Sequence, residues 1–346
     1  MGLLQAVAAH ACNPHYKRTH QLLSGKCSHQ HGGGGKMDAR IYSEKTINSI
    51  RSHLEKNESK FITYPKFVFL CGKAIDGQYE KTNRGILDNY LKKQSEDIFI
   101  VLSEQLWEDG FNSNIDLLTF EEFLAEISDA IILFCESPGS YCELGAFAYA
   151  NKLFSDKLVI VIDELYKGAK SFIMTGPVAK AKQDGATIVY AQLDNKGLLA
   201  SKELRDMVRE KVEQFSSKTA TINRRKSNTD QEQILISSFI VELLECIKLL
   251  QPISKKDLVE LYKRIKGFSS FTFVKRDGDK FHNTIKYDYI IKLLSTVGLI
   301  KIEGDIITTT AYSKTQNLML RYYGNGENRE RNKLLCKKYR YGGTNT

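Results

Sequence analysis

The chain has 346 residues, 42% of them hydrophobic, enough apolar material for two cores and so for two domains. Its formal net charge of +9 favours an anionic partner, nucleic acid or a phosphate-bearing ligand. No apolar run approaches the length of a membrane span, and seven scattered cysteines, an odd number, argue against a disulfide framework and suit reduced thiols in a cytoplasm.

Residues 1–36 mix Cys12, His15, His20, Cys27, His29 and His31 with a glycine run at 32–35, and they carry no sustained period. These Cys and His spacings match no standard zinc pattern, and the first residues lack the Ser or Thr of a myristoylation signal. Gly32 to Lys36 just before Met37 reads as a translated purine-rich ribosome-binding site. Residues 1–36 are therefore expected to be a disordered leader upstream of a natural start at Met37.

From Ile41 the apolar residues fall into periods. Ser43 to Lys56 has helical spacing at Ile47, Ile50 and Leu54. Lys66 to Cys71 is a buried-strand pattern running into Gly72, which serves either as a plain turn or as the place where backbone approaches a sugar or phosphate. Thr82 to Lys93 predicts the first crossover helix, and Asp97 to Leu102 the second strand. Trp107 then stands where it either stacks on a base or covers the core. Phe120 to Ile127 predicts a helix that stops at Ser128-Asp129.

Ile131 to Cys135 is a short apolar strand ending at Glu136 and a turn through Ser137-Pro138-Gly139. Ser140 with Glu143 three residues on has the form of a capping box, opening a small-residue helix through Ala150. On the residues alone, Glu143 is either that cap or a reactive carboxylate at the carboxyl edge of a parallel sheet. Lys157 to Ile162 and Ala186 to Tyr190 complete five strands, with a covering helix at Leu198 to Phe215. The predicted fold is a doubly wound α/β parallel sheet of flavodoxin or Rossmann type over residues 37–215.

The stretch Glu136-Ser-Pro-Gly-Ser-Tyr-Cys-Glu-Leu-Gly-Ala146 resembles the Gly-Thr/Ser-x-x-Glu-hydrophobic-Gly-x-Ala signature of nucleoside 2-deoxyribosyltransferases. It is more similar still to the deoxyribosyltransferase-like effector toxins of bacterial retrons, which also share a Ser-Phe-Ile-x-x-Gly-Pro stretch, here Ser171 to Pro177. The resemblance implies that Glu143 is the nucleophile and that Asp129, just before the motif strand, helps to hold substrate. Gly72, the turn residues Ser137, Gly139 and Ser140, and Gly176 are the other expected substrate contacts, Gly176 through free N–H groups at a helix start. The doubled glycine of nucleotide phosphoribohydrolases is missing at Ser137-Pro138-Gly139, which argues against that class.

A composition shift at residues 216–230, with Arg224, Arg225 and Lys226, predicts a basic linker. Beyond it, helices at Gln231 to Leu250, Ser254 to Ile265 and Asn283 to Val297 and a hairpin around Glu303-Gly-Asp305 have the layout of a winged helix over 231–312. Its third helix carries Lys286 and Lys292, suited either to nucleic acid or to a protein contact. The tail, 313–346, is basic and interleaved with tyrosines, and Arg321, Lys337 and Lys338 are its candidate nucleic-acid contacts. The resemblance implies a reverse transcriptase and its multicopy single-stranded DNA (msDNA) as restraining partners in an oligomeric assembly.

Chemically, Glu143 is expected to attack or stabilise an anomeric carbon as its N-glycosidic bond breaks. A purine leaving group needs an acid, either Glu136 or another with a raised pKa, whereas the cationic nicotinamide of NAD departs without one. The expectation is hydrolysis of NAD or a related nucleotide as substrate, with no metal and no resident cofactor. The alternative is a nucleic-acid-binding adaptor whose α/β domain binds a nucleotide without cleaving it.

Overall fold

The computed structural model describes residues 44, 47, 48, 66–73, 77–95, 97–107, 115–150, 152–193, 201–216, 232–275 and 286–310. All of them belong to one compact unit, residues 39–346. The expected leader, the linker residues Arg224, Arg225 and Lys226, the tail residues Arg321, Lys337 and Lys338, and most of the Ser43 to Lys56 segment lie outside the described residues.

Five short runs of β-branched and aromatic residues pair in parallel: β1 (Lys66–Cys71), β2 (Ile98–Val101), β3 (Ala130–Cys135), β4 (Leu158–Asp163) and β5 (Thr187–Ala191). Their order is β2-β1-β3-β4-β5, the flavodoxin-type order of doubly wound sheets. Registers such as Phe67↔Phe99, Phe69↔Ile131 and Ile132↔Val159 place buried residues side by side across the sheet.

Strand alternation sends Val68 and Leu70 to one face and Phe67, Phe69 and Cys71 to the other. The first face is covered by α1 (Asn83–Gln94) and, after β5, by α6 (Lys202–Ser216). The second is covered by the short α2 (Ser103–Leu106), by α3 (Leu117–Ile127), by α4 (Pro138–Ala150) and by α5 (Ala179–Gln183). Trp107 packs on this second face, its ring 5.6 Å from that of Phe120, which is the core role.

The second apolar cluster continues without a break into the C-terminal helices α7 (Ile236–Leu250), α8 (Lys255–Lys266) and α9 (Tyr287–Thr296). Lys275 binds Glu122 of α3 at 2.6 Å across this junction. Gln231 to Leu250 is not one helix: Glu232–Leu235 is a strand, β6, paired in parallel with β8 (Phe271–Val274). A distant partner overrides local helical propensity there. The expected hairpin, β9 (Ile300–Glu303) and β10 (Ile306–Thr309), gains a third strand, β7 (Ile253–Ser254), beside β10. Among the described residues no helix is long and apolar enough to cross a membrane.

Candidate active site

Open α/β sheets bind ligands outside the carboxyl ends of the strands, where successive crossovers part. Here that point lies between β1 and β3, and it is where Gly72, Glu136 and α4 meet. The start of α4 differs from the capping-box expectation. Pro138 is its first residue, and Ser137 is its cap: the Ser137 Oγ accepts from Ser140 N at 3.2 Å, and Tyr141 N donates to Ser137 O at 3.1 Å.

Ser140 is fully buried and locks the turn, its Oγ accepting from Glu136 N at 3.0 Å and Ser137 N at 2.9 Å while donating to Ser137 O at 2.8 Å. The Pro-Gly pair that reads as a turn is thus the first helical turn, where proline's missing N–H costs nothing. Glu143 therefore stands in the second turn, too far along to cap the helix.

That position leaves Glu143 largely buried, and its Oε2 has no hydrogen-bond partner among the described residues. Burial, then the carboxylates of Glu121 and Glu104, push the Glu143 carboxyl up to about 8, and Arg84 opposes them. Glu121, 8% exposed on α3, is itself pushed up to about 7 by burial and then by Glu104, although Ser103 hydrogen-bonds it. The Cys135 thiol is driven up to about 12 by burial, then by Glu143 and Glu136, and Cys71 is raised by burial and then by Glu143. Glu143 thus lies over the carboxyl ends of β1 and β3.

Arg84, 1% exposed near the start of α1, supplies the positive charge, binding Glu104 through Nη1 at 3.1 Å and Nη2 at 2.7 Å and the carbonyl of Lys73 through Nη2. Glu136 accepts from Asn83 Nδ2 at 2.6 Å and from Lys73 N at 3.3 Å, so it ties α1 and the β1 turn together. A Cβ on Gly72 would come 3.2 Å from both Glu136 Oε1 and Phe134 Cβ. The close approach at Gly72 is to the protein's own side chains.

The structure brings Glu143, Glu136, Gly72, Ser137, Gly139 and Ser140 to one edge. It does not bring Asp129 there. Asp129 stands before β3, at the opposite end of the strand and about 20 Å away by strand rise, where its Oδ2 accepts from Phe67 N at 2.9 Å. Gly176 does not open a helix either. Its helix starts at Phe172, with Met174 N and Thr175 N donating to Ser171 O, and Gly176 lies within a π-helical turn, Met174–Val178, packed on α4.

Sequence reasoning missed Arg84, Glu104 and Glu121. For Glu121 a signal existed: it falls with Phe120 and Leu124 on the apolar stripe of α3, a place where a carboxylate is costly. Farther on, Lys286 is exposed at the N-cap of α9, and Lys292 lies on that helix.

Comparison of the sequence with known proteins places the chain in a family. A protein of Escherichia coli whose name proposes the ribosyltransferase/DNA-binding protein of retron Ec86 is 35% identical over 214 residues, 58% of this chain and 65% of the relative. The corresponding protein of retron Ec73, also from Escherichia coli and with the same proposed roles, is 27% identical over 231 residues, 63% of this chain and 73% of the relative. The chain thus spans less than two thirds of the length of the Ec86 protein. These names overturn the expectation of an NAD hydrolase, because they propose transfer of a ribosyl group and not its hydrolysis. Residues 80–302, more than half of the chain, match the family described as STM3845 retron effector protein, and the chain belongs to that family.

Proposed function

We propose that this retron effector is a ribosyltransferase, in which Glu143 takes the ribosyl group of a nucleotide and passes it to an acceptor other than water. One observation carries the reading: Glu143 stands largely buried at the sheet's switch point, with a buried oxygen that has no hydrogen-bond partner among the described residues, next to two further carboxylates and one arginine. Buried unpaired carboxylates are costly, and such costs concentrate at reactive sites. An oxocarbenium-like sugar is positively charged, and so is the base of a nicotinamide nucleotide. Either brings the charge that this cleft lacks and favours the ionised form of Glu143. NAD or a related nucleotide is therefore the proposed donor.

The attack forms an ester between Glu143 and C1′ while the N-glycosidic pair leaves with the base. The acceptor then displaces Glu143. Incubation with NAD and with purine deoxynucleosides, followed by intact-mass measurement and chromatography, tests this. Wild type is expected to release base and to transfer sugar to an added free nucleobase, to msDNA or to protein, and Glu143→Gln to do neither. Base release without any transferred sugar would refute the transferase reading.

A second part of the proposal concerns α7 to α9. From α7 to β10 the order is helix, strand, helix, strand, helix and two strands, that of a winged helix apart from β8, which pairs with β6 in a separate sheet, and both relatives' names propose DNA binding. We place the msDNA of the retron and its reverse transcriptase on this part, with Lys286 and Lys292, and on the basic segments holding Arg224, Arg225, Lys226, Arg321, Lys337 and Lys338. Lys286→Glu is expected to weaken msDNA binding and reduce its salt dependence. An unchanged salt slope would count against contact there.

A further inference from the structure

Asn83 is the first residue of α1, yet its side chain takes no part in starting that helix. Thr82 is the cap, its Oγ accepting from Gly85 N at 3.0 Å. The Asn83 amide instead reaches along the carboxyl edge of the sheet, donating through Nδ2 to Glu136 Oε2 at 2.6 Å and to the carbonyl of Leu193 at 3.2 Å. We propose that Asn83 is a positioning residue of the transfer, fixing the carboxyl group of Glu136 as the acceptor for a hydroxyl of the ribosyl group while Glu143 attacks C1′. This rests on the ribosyltransferase reading and adds a residue that neither the motif nor its turn contains.

Hydrogen bonds leave Glu136 little freedom. Asn83 binds its Oε2, Lys73 N binds its Oε1 at 3.3 Å, and its own N–H donates to Ser140 Oγ at 3.0 Å. Asn83 thus joins the start of α1 to the ends of β3 and β5, and Glu136 carries the link on to the turn after β1. Both partners of Nδ2 are oxygens, so the amide can face them only one way round. Both side-chain bonds of Glu136 are donated to it, which makes it an acceptor here and not the acid that a purine leaving group needs.

The backbone that carries Asn83 is equally fixed. Thr82 Oγ donates to Tyr79 O at 2.7 Å, and the turn at Tyr79–Lys81 crosses α1 so closely that Gly85 has no room for a side chain. Asn83 is 1% exposed, and its Oδ1 is buried with no hydrogen-bond partner among the described residues. A buried acceptor without a donor is costly, and an asparagine that only tied segments together would not need to carry that cost. A sugar hydroxyl is such a donor, and a ribosyl group bound beside Glu136 brings one.

The sugar hydroxyls do not react. Contacts to them are made alike in the bound donor and in the transition state, so they show in donor affinity more than in the chemical step. Asn83 is therefore expected to act on KM, and Glu143 on kcat.

The test compares Asn83→Ala and Asn83→Asp with wild type in the full chain. NAD with an added free nucleobase reads turnover, and ADP-ribose, which has the sugar hydroxyls but no leaving base, reads binding by calorimetry. Asn83→Asp keeps the size of the side chain and removes the Nδ2 donor, so it serves where the alanine variant does not fold. In both variants KM for NAD should rise, and affinity for ADP-ribose fall, roughly 10-fold, the size of a lost hydrogen bond to a charged group, while kcat changes less than about 3-fold. Glu136→Ala should do the same, and adding Asn83→Ala to it should cost nothing more. A fall in kcat at unchanged KM, which a merely structural role gives, or losses that add in the double variant, would overturn the positioning role. Wild type inert towards NAD would instead defeat the ribosyltransferase reading, leaving Asn83 to be judged by ADP-ribose: equal affinity in wild type and variants, or none in any, would sink it.

Discussion

Arg84 grips Glu104 with both terminal nitrogens, at 3.1 Å and 2.7 Å, and is itself only 1% exposed. This fork neutralises Glu104 and leaves Glu121 and Glu143 to repel each other. Arg84→Met strands Glu104 and removes the cation that opposes the rise of Glu143. Stability should fall by roughly 2–3 kcal/mol, the low end for a broken pair because Glu104 is about a third exposed. The acid limb of the pH–rate profile should also move to higher pH. Arg84→Met combined with Glu104→Gln should recover most of the stability, and a double-mutant cycle on denaturation midpoints checks this.

The raised Glu143 carboxyl also predicts how stability depends on pH. Its ordinary value is 4.5 and its folded value about 8, so the folded chain binds more protons than the unfolded one across that window. Stability then falls as pH rises from about 4.5 through about 8. Glu143→Gln removes the effect while abolishing transfer. It should be more stable than wild type by on the order of 2 kcal/mol near pH 8 and equal to it near pH 4, measured by thermal melts at both.

Gly85 and Gly139 should respond in opposite ways. A Cβ on Gly85 would lie 1.9 Å from the carbonyl oxygen of Tyr79, whose short helical turn crosses the start of α1. Backbone cannot yield as a side chain does, so Gly85→Ala should cost about 3 kcal/mol and disturb Asn83 and Arg84 with it. At Gly139 the nearest atom to such a Cβ is Ser137 Oγ at 3.9 Å. Gly139→Ala should change stability by no more than about 0.5 kcal/mol, so any loss of turnover there reports ligand approach. Urea denaturation of both variants separates the cases.

Lys157 closes the far end of α3. It is 3% exposed, and its ammonium donates to the carbonyls of Ala125 at 2.5 Å and Ser128 at 2.7 Å, in the last turn of the helix that carries Glu121. Lys157→Met leaves those carbonyls without a donor and removes a cation from the helix C-terminus. The expected cost is about 2–3 kcal/mol. Amide exchange should rise first at the end of α3.

The sequence by itself determined what depends on near neighbours. Apolar runs such as Lys66–Cys71 and Leu158–Asp163, the Thr82 cap of α1 and the Ser254 cap of α8 follow from periodicity and local hydrogen bonding. The Glu143 motif and the retron effector relationship were legible for the same reason, since they are carried by eleven contiguous residues from Glu136 to Ala146. Ser137 as the cap of α4 was within reach too, had Pro138 been read as a first helical residue.

Only the tertiary structure decided which charges meet. Arg84, Glu104, Glu121 and Glu143 come from four helices, and nothing in their spacing says that strand order β2-β1-β3 brings them together. The same order sends Asp129 to the opposite edge of the sheet, although it lies only seven positions before Glu136. Burial and the field of neighbouring carboxylates set the proton affinity of Glu143, and both are properties of packing between distant segments.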